Sequence, residues 1–249
     1  MSTEQVISWN KDWWDDRHDW PEGGEEWSVA WGDAQCQWFA TIYPRIKNYL
    51  PAQHVLEIAT GHGRWTKILL ENCARFTGVD IAASAINVCR RRFSFNHNAS
   101  FHVNNGSSLS FSPDKSVDFL FSMDSLVHAG IDAMAPYIKE FSRVLADYGV
   151  GFVHHSNMAE HAHMGYQSKG HRAASVSADI FNRLCLENGL FCISQETVPW
   201  FEPVTTDCFS LFIRAEKAKG MSRRLIVNND FGKEVKHARR LFEEYNFRF

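Results

Sequence analysis

From residue 51 to residue 215 the chain alternates short apolar runs with amphipathic stretches, and no other feature limits its possible folds as much. The strand candidates are residues 54–59, 76–81, 100–104, 117–123, 150–155, 192–198 and 208–215. Helical spacing fits 64–72, 83–93, 133–145 and 175–188 between them. Such a rhythm builds a parallel sheet covered by helices on both faces. The connection 197–206 is too short for a crossover helix, so the last strand is expected to be antiparallel. The expectation is a doubly wound α/β sheet of seven strands, mostly parallel with an antiparallel last strand.

The segments outside this rhythm divide the chain further. Seven of the nine tryptophans (Trp9, Trp13, Trp14, Trp20, Trp27, Trp31 and Trp38) crowd into residues 1–50, which read as an N-terminal helical cap on a core spanning 51–215. Within the cap, Trp38, Ile42, Ile46 and Tyr49 recur at helical spacing, with Asp33 as N-cap and Pro51 as stop, predicting one amphipathic helix over 33–50. Residues 157–173 hold His161, His163 and His171 after a strand, where a lid over a pocket is often built. The charged stretch 216–249 reads as a C-terminal helical extension, with Arg239, Arg240, Glu243 and Glu244 on a solvated face.

Charge and composition narrow the partners. A net charge of −3 with evenly mixed signs offers no broad positive field for a phosphate backbone, and Arg90, Arg91 and Arg92 read as the wet face of a helix. No nucleic-acid partner is therefore expected. No run reaches the roughly 20 apolar residues that span a bilayer, and the polar N-terminus has no signal-peptide core. A cytoplasmic protein without membrane insertion is expected. Cys36, Cys73, Cys89, Cys185, Cys192 and Cys208 are scattered without a C-x-x-C pair and read as free thiols, several of them buried.

The stretch Val55-Leu56-Glu57-Ile58-Ala59-Thr60-Gly61-His62-Gly63-Arg64-Trp65-Thr66 is an apolar strand entering a small-residue turn and then a helix. Gly61 and Gly63 permit positive φ and close approach of a ligand, and the helix start aims unpaired N–H groups at it. The next strand, Phe76-Thr77-Gly78-Val79-Asp80, ends in an acid placed to accept both hydroxyls of a ribose. Together these point to a nucleoside cofactor. A nicotinamide site would want G-x-G-x-x-G, whereas Arg64 and Trp65 follow Gly63 directly.

Glu57-Ile58-Ala59-Thr60-Gly61-His62-Gly63 followed by Asp80 resembles the glycine motif and ribose-binding acid of class I S-adenosylmethionine-dependent methyltransferases. The resemblance runs from about Val55 to Ala215 and implies a Rossmann-like fold, S-adenosylmethionine as cofactor and an enzyme that transfers its methyl group. It places Glu57, Ala59, Gly61 and Gly63 beside the methionine part and Asn105, Gly106 and Ser107 at adenine. Ala59 stands where the family usually has glycine, and Asn105 where aspartate is common. Trp31-Gly32 through Gln37-Trp38, with 152–157 and 207–212, resembles a bacterial methyltransferase group associated with sugars and cell-surface glycans. On that resemblance Trp31 joins the candidate cofactor contacts.

Methyl transfer from a sulfonium needs donor and acceptor in line, and a hydroxyl acceptor needs a base. Strand 117–123 continues through Asp124 to His128, and strand 150–155 delivers His154 and His155 to the same sheet edge. Asp124, His128, His154 and His155 are thus the candidate catalytic residues, a neutral imidazole being suited to take the proton; each histidine also has an alternative reading as a core residue bonded to backbone. The histidines with Asp124 also allow a divalent ion, but His161 and His163 lack the spacing of a compact metal motif, so no metal is expected. The expected reaction is O-methylation of a sugar, glycan or other small hydroxylated metabolite. N-methylation of a small amine and a non-catalytic cofactor-binding module are the alternatives. The oligomeric state is open.

Overall fold

The computed structural model describes residues 11–168 and 170–245; Trp9 and the outermost residues of the two predicted extensions lie outside the described residues. The eight strands are β1 (Ala52–Ile58), β2 (Cys73–Asp80), β3 (Ala99–Val103), β4 (Val117–Ser122), β5 (Leu145–Ser156), β6 (Leu190–Val198), β7 (Asp207–Arg214) and β8 (Arg224–Val227). They form one sheet in the order β3-β2-β1-β4-β5-β7-β6-β8. Every neighbouring pair is parallel except those of β7, which runs antiparallel to both β5 and β6.

Both sheet faces are covered, which is why the central strands read as continuous apolar runs. Val55, Phe119 and Phe121 enter one core while Leu56 and Leu120, one residue along, enter the other. The first core is closed by α1 (Thr66–Leu70), α2 (Ala83–Arg92) and α5 (Phe231–Tyr245), through Leu69, Ile86 and Phe231. The second is closed by α3 (Ile131–Val144) and α4 (Ala178–Glu187), through Ile138, Phe141 and Phe181.

The structure corrects the sequence reading in two places. There are eight strands rather than seven, because Arg224–Val227 pairs in parallel with β6 from Ser194 to Thr197. That run, Leu225-Ile226-Val227 behind one arginine, is too short to show a period, yet it covers the otherwise open edge of β6. The segment 216–249 is therefore not purely helical, while β7, the last of the seven predicted strands, is antiparallel as expected. The stretch 33–50 begins as predicted, with Asp33 Oδ1 accepting from Cys36 N at 2.7 Å, and Trp38, Ile42 and Ile46 are buried. It is not one uniform helix, however: Ala34–Gln37 widens into a π turn at Trp38–Ile42, then continues as Tyr43–Ile46 and a 3₁₀ turn at Lys47–Tyr49. Pro44 has no N–H to give to the i−4 carbonyl, so the ladder has to change there.

Among the described residues no helix is long and apolar enough to cross a membrane, and all six cysteines are free.

Candidate active site

The chain leaves β1 for β2 and β3 and returns to β4 on the other side of β1. The carboxyl ends of β1 and β4 therefore flank the switch point at which open α/β sheets bind ligands. At that point the turn after β1 needs three positive φ angles: 60° at Ala59, 52° at Gly61 and 89° at Gly63. A Cβ on Gly63 would stand 2.5 Å from Phe93, so only glycine fits there. Ala59 holds the same left-handed region with a side chain, at a cost of about 1–2 kcal/mol.

Two carboxylates fix the turn from below. Glu57, fully buried at the end of β1, accepts from Thr66 Oγ1 at 2.5 Å. Burial pushes its pKa up to about 8, against the opposing pull of Thr66 and the Arg64 guanidinium. Asp80 accepts from Gly61 N at 2.8 Å through one oxygen and from Ala82 N at 2.9 Å through the other. Burial raises the Asp80 pKa, while these backbone donors oppose the rise. A carboxylate has about four acceptor positions, so the backbone donors leave Asp80 acceptor capacity for ribose hydroxyls. In that respect the residues present fit the ribose of a nucleoside.

The loop after β3 departs from expectation in detail. Asn105 Oδ1 accepts from Ser107 N at 3.2 Å, Ser107 Oγ at 3.3 Å and Ser108 N at 2.8 Å, so the oxygen expected at adenine closes its own turn instead. Gly106, with φ 84°, is tied to Asn104 Oδ1. Trp31 is completely buried, donates from Nε1 to Thr41 Oγ1 and packs on Trp200, Phe201 and Phe231. Its place is in the core, not at the cofactor turn.

The candidate histidines separate into two kinds. His155 has both ring nitrogens engaged, with the Ser156 carbonyl and Ser210 Oγ, each at 2.8 Å, and it stacks on Phe181. Burial drives its pKa down to about 3. His154 is equally buried: its Nδ1 accepts from Asp124 N at 3.2 Å, which makes Nε2 the N–H that donates to Asp207 Oδ2 at 2.9 Å. Neither ring keeps a lone pair for a substrate, so both take the core-histidine reading. His128 differs. Its Nδ1 faces the His171 carbonyl at 3.1 Å and must carry the proton, which leaves Nε2 as the acceptor. Burial lowers the pKa of His128, partly offset by that carbonyl and by Asp124, so the ring is neutral at physiological pH.

Asp124, at φ 63°, lies between two guanidinium groups. Arg64 NH2 is 3.2 Å from one of its oxygens and Arg172 NH2 is 3.9 Å from the other. Arg172 also pairs with the buried Asp207 at 2.8 Å. The sequence reading did not select Arg64, Arg172 or Asp207. Arg64 directly follows the glycine motif and Arg172 ends the histidine-rich segment 157–173, but their convergence needs the fold. That segment is held by His161 on the Thr205 carbonyl, Tyr166 and Ser168 on Glu202, and Arg172 on Asp207. Among the described residues no group of three His, Cys, Asp or Glu side chains is arranged to hold a metal ion.

The tryptophan-rich segment crosses this site. Asp15 accepts from Ser84 N at 2.7 Å beside the start of α2, Trp20 stacks on His62 of the glycine turn at 4.3 Å, and Trp14 reaches His128 at 6.3 Å. Glu25 pairs with Lys67 at the base of α1.

Comparison with known proteins agrees with this geometry. Residues 55–149 match the family model described as a methyltransferase domain. No curated protein matches the sequence. Among solved structures, a SAM-dependent methyltransferase from Leishmania major superposes with a TM-score of 0.63 at 11% identity, covering 83% of this chain and 82% of that one. DhpI, solved in complex with SAM and HEP, gives 0.61 at 16% identity, covering 85% and 99%. A SAM-dependent methyltransferase from Methanosarcina mazei gives 0.56 at 19% identity, covering 70% and 98%. These likenesses establish the shared fold. The family match covers β1 to the start of β5, so residues 55–149 are similar to a methyltransferase domain, set within the fold that these S-adenosylmethionine-dependent methyltransferases share.

Proposed function

We propose that the protein binds S-adenosylmethionine and transfers its methyl group to a hydroxyl of a sugar, glycan or other small hydroxylated metabolite, with His128 as general base. The observation that carries this reading is the state of His128: a neutral ring, oriented by the His171 carbonyl, with Nε2 as proton acceptor. A hydroxyl oxygen attacking a methyl group loses its proton in the process, and an oriented imidazole of lowered pKa is suited to take it.

The bound cofactor supplies an electrophilic methyl group on a sulfonium. The chain's own residues supply position and charge. Asp80 accepts from the ribose hydroxyls, and the turn from Ala59 to Gly63 admits the methionine part above Glu57. Asp124, held between Arg64 and Arg172, fixes the floor beside His128. Trp14 and its neighbours offer aromatic faces on which a sugar ring can stack. Residues 157–173 act as the lid on the acceptor side, and the domain as a whole works in the cytoplasm.

The test is transfer of labelled methyl from S-adenosylmethionine to a panel of sugars and phenols, by wild type and His128→Ala. Wild-type turnover is expected to rise with pH through a midpoint below the ordinary histidine value of 6.5. His128→Ala is expected to lose roughly 10²–10⁴-fold in turnover. Undiminished turnover in the variant contradicts the assignment.

A further inference from the structure

Among the described residues, the buried polar atoms of the tryptophan-rich segment that have no hydrogen-bond partner include three that stand together: His18 Nε2, Trp20 Nε1 and Glu26 Oε1. His18 Nε2 and Glu26 Oε1 are 3.7 Å apart, too far for a hydrogen bond with each other. A buried polar atom left without a partner forfeits the hydrogen bonds it made to water, so three in one cluster call for an explanation.

Their surroundings are built rather than loose. Glu26 is fixed by its other oxygen, which accepts from Gly24 N at 2.8 Å. The His18 ring lies between Trp20, edge-on at 4.8 Å, and Trp27, stacked at 5.5 Å, with Trp14 at 5.0 Å. The Trp20 ring stacks on His62 and comes within 3.0 Å of the Cβ position of Gly61. Glu26 and His18 are both near enough to act electrostatically on His62. The three atoms therefore sit beside the glycine turn, the part of the cofactor site assigned to methionine.

The set is also chemically selective. Trp20 Nε1 is a donor only, Glu26 Oε1 an acceptor only, and His18 Nε2 donates in one tautomer or when protonated. One carboxylate and two N–H groups complement a group that carries an ammonium and a carboxylate on the same carbon. We infer that His18, Trp20 and Glu26 form the subsite for the amino-acid end of S-adenosylmethionine and of its product, with Glu26 taking the ammonium and His18 and Trp20 the carboxylate. This inference rests on the cofactor assignment and deepens it: the segment before β1 reads the methyl donor as well as covering the cleft.

The test compares two ligands that differ only at that end, S-adenosylhomocysteine and 5′-methylthioadenosine, the second lacking the amino acid. Titration would follow heat or the fluorescence of the tryptophan cluster, with wild type and with the double variant His18→Ala, Glu26→Gln. The expected result is that the variant binds S-adenosylhomocysteine at least about tenfold more weakly and 5′-methylthioadenosine within about twofold of wild type. Unchanged methylthioadenosine binding also shows that the variant is folded. Equal weakening of both ligands, or of neither, overturns the inference, since the segment would then act only as a roof. Failure of folded wild type to bind either ligand overturns the cofactor assignment itself, and the inference with it.

Discussion

At the scale of single residues, the chemistry is decided by which partners each polar atom has. His155 and His154 are adjacent to one another and look equivalent in sequence to His128, but only His128 keeps an acceptor nitrogen. His155→Ala removes a ring stacked on Phe181 and strips a partner from Ser210. It should destabilise the fold by roughly 2–4 kcal/mol and leave turnover per folded molecule close to wild type, as denaturant melts paired with active-site counts would show. Glu57 makes a different prediction. Between its ordinary value of 4.5 and about 8 the folded protein keeps a proton that the unfolded chain has released. Stability therefore falls as pH rises through that window, by at most about 1.4 kcal/mol per unit. Glu57→Gln stays neutral throughout, so urea midpoints measured at about pH 5 and about pH 8 should fall further in wild type than in the variant. Parallel pH dependence in the two proteins contradicts a protonated Glu57.

At the scale of elements, legibility followed length and period. β1, β2, β4 and β5 were visible because covered strands are apolar on both faces, as Leu56 and Val55 show by entering opposite cores. β8 was not, because four residues carry no period, and Pro44 was hidden within the apolar spacing of Trp38, Ile42 and Ile46. The glycine turn and Asp80 were legible because local backbone chemistry sets their spacing. The ion network was not, since Arg64, Asp124, Arg172 and Asp207 come from four separate places along the chain. Arg172 is the tie between the segment 157–173 and the start of β7. Among the described residues, removing it leaves Asp207 buried with the His154 ring as its remaining side-chain partner. Arg172→Ala should therefore cost about 3–5 kcal/mol in chemical denaturation, and a loss below about 1 kcal/mol would contradict a closed buried network.

At the scale of the whole molecule, the sheet carries two additions that complete it at opposite places. The C-terminal part supplies β8 at the edge of β6 and α5 on the face shared with the N-terminal helical stretch, where Arg45 joins Glu196 and Glu234. The tryptophan-rich segment runs from the start of α2 to the glycine turn and on to His128. A composition bias announced that segment as a cap, but tryptophan content left folding over the cofactor cleft and ordinary core packing both open, and Trp31 takes the second. Each of these additions acts through the same central claim, that the turn from Ala59 to Gly63 and Asp80 hold S-adenosylmethionine. The most direct measurement is calorimetric titration of the purified protein with S-adenosylmethionine and S-adenosylhomocysteine, alongside Asp80→Ala. The account predicts saturable binding of both ligands by wild type and its loss in a variant that remains folded by circular dichroism. A folded wild-type protein that binds neither ligand, or an Asp80→Ala variant that binds both undiminished, would contradict it.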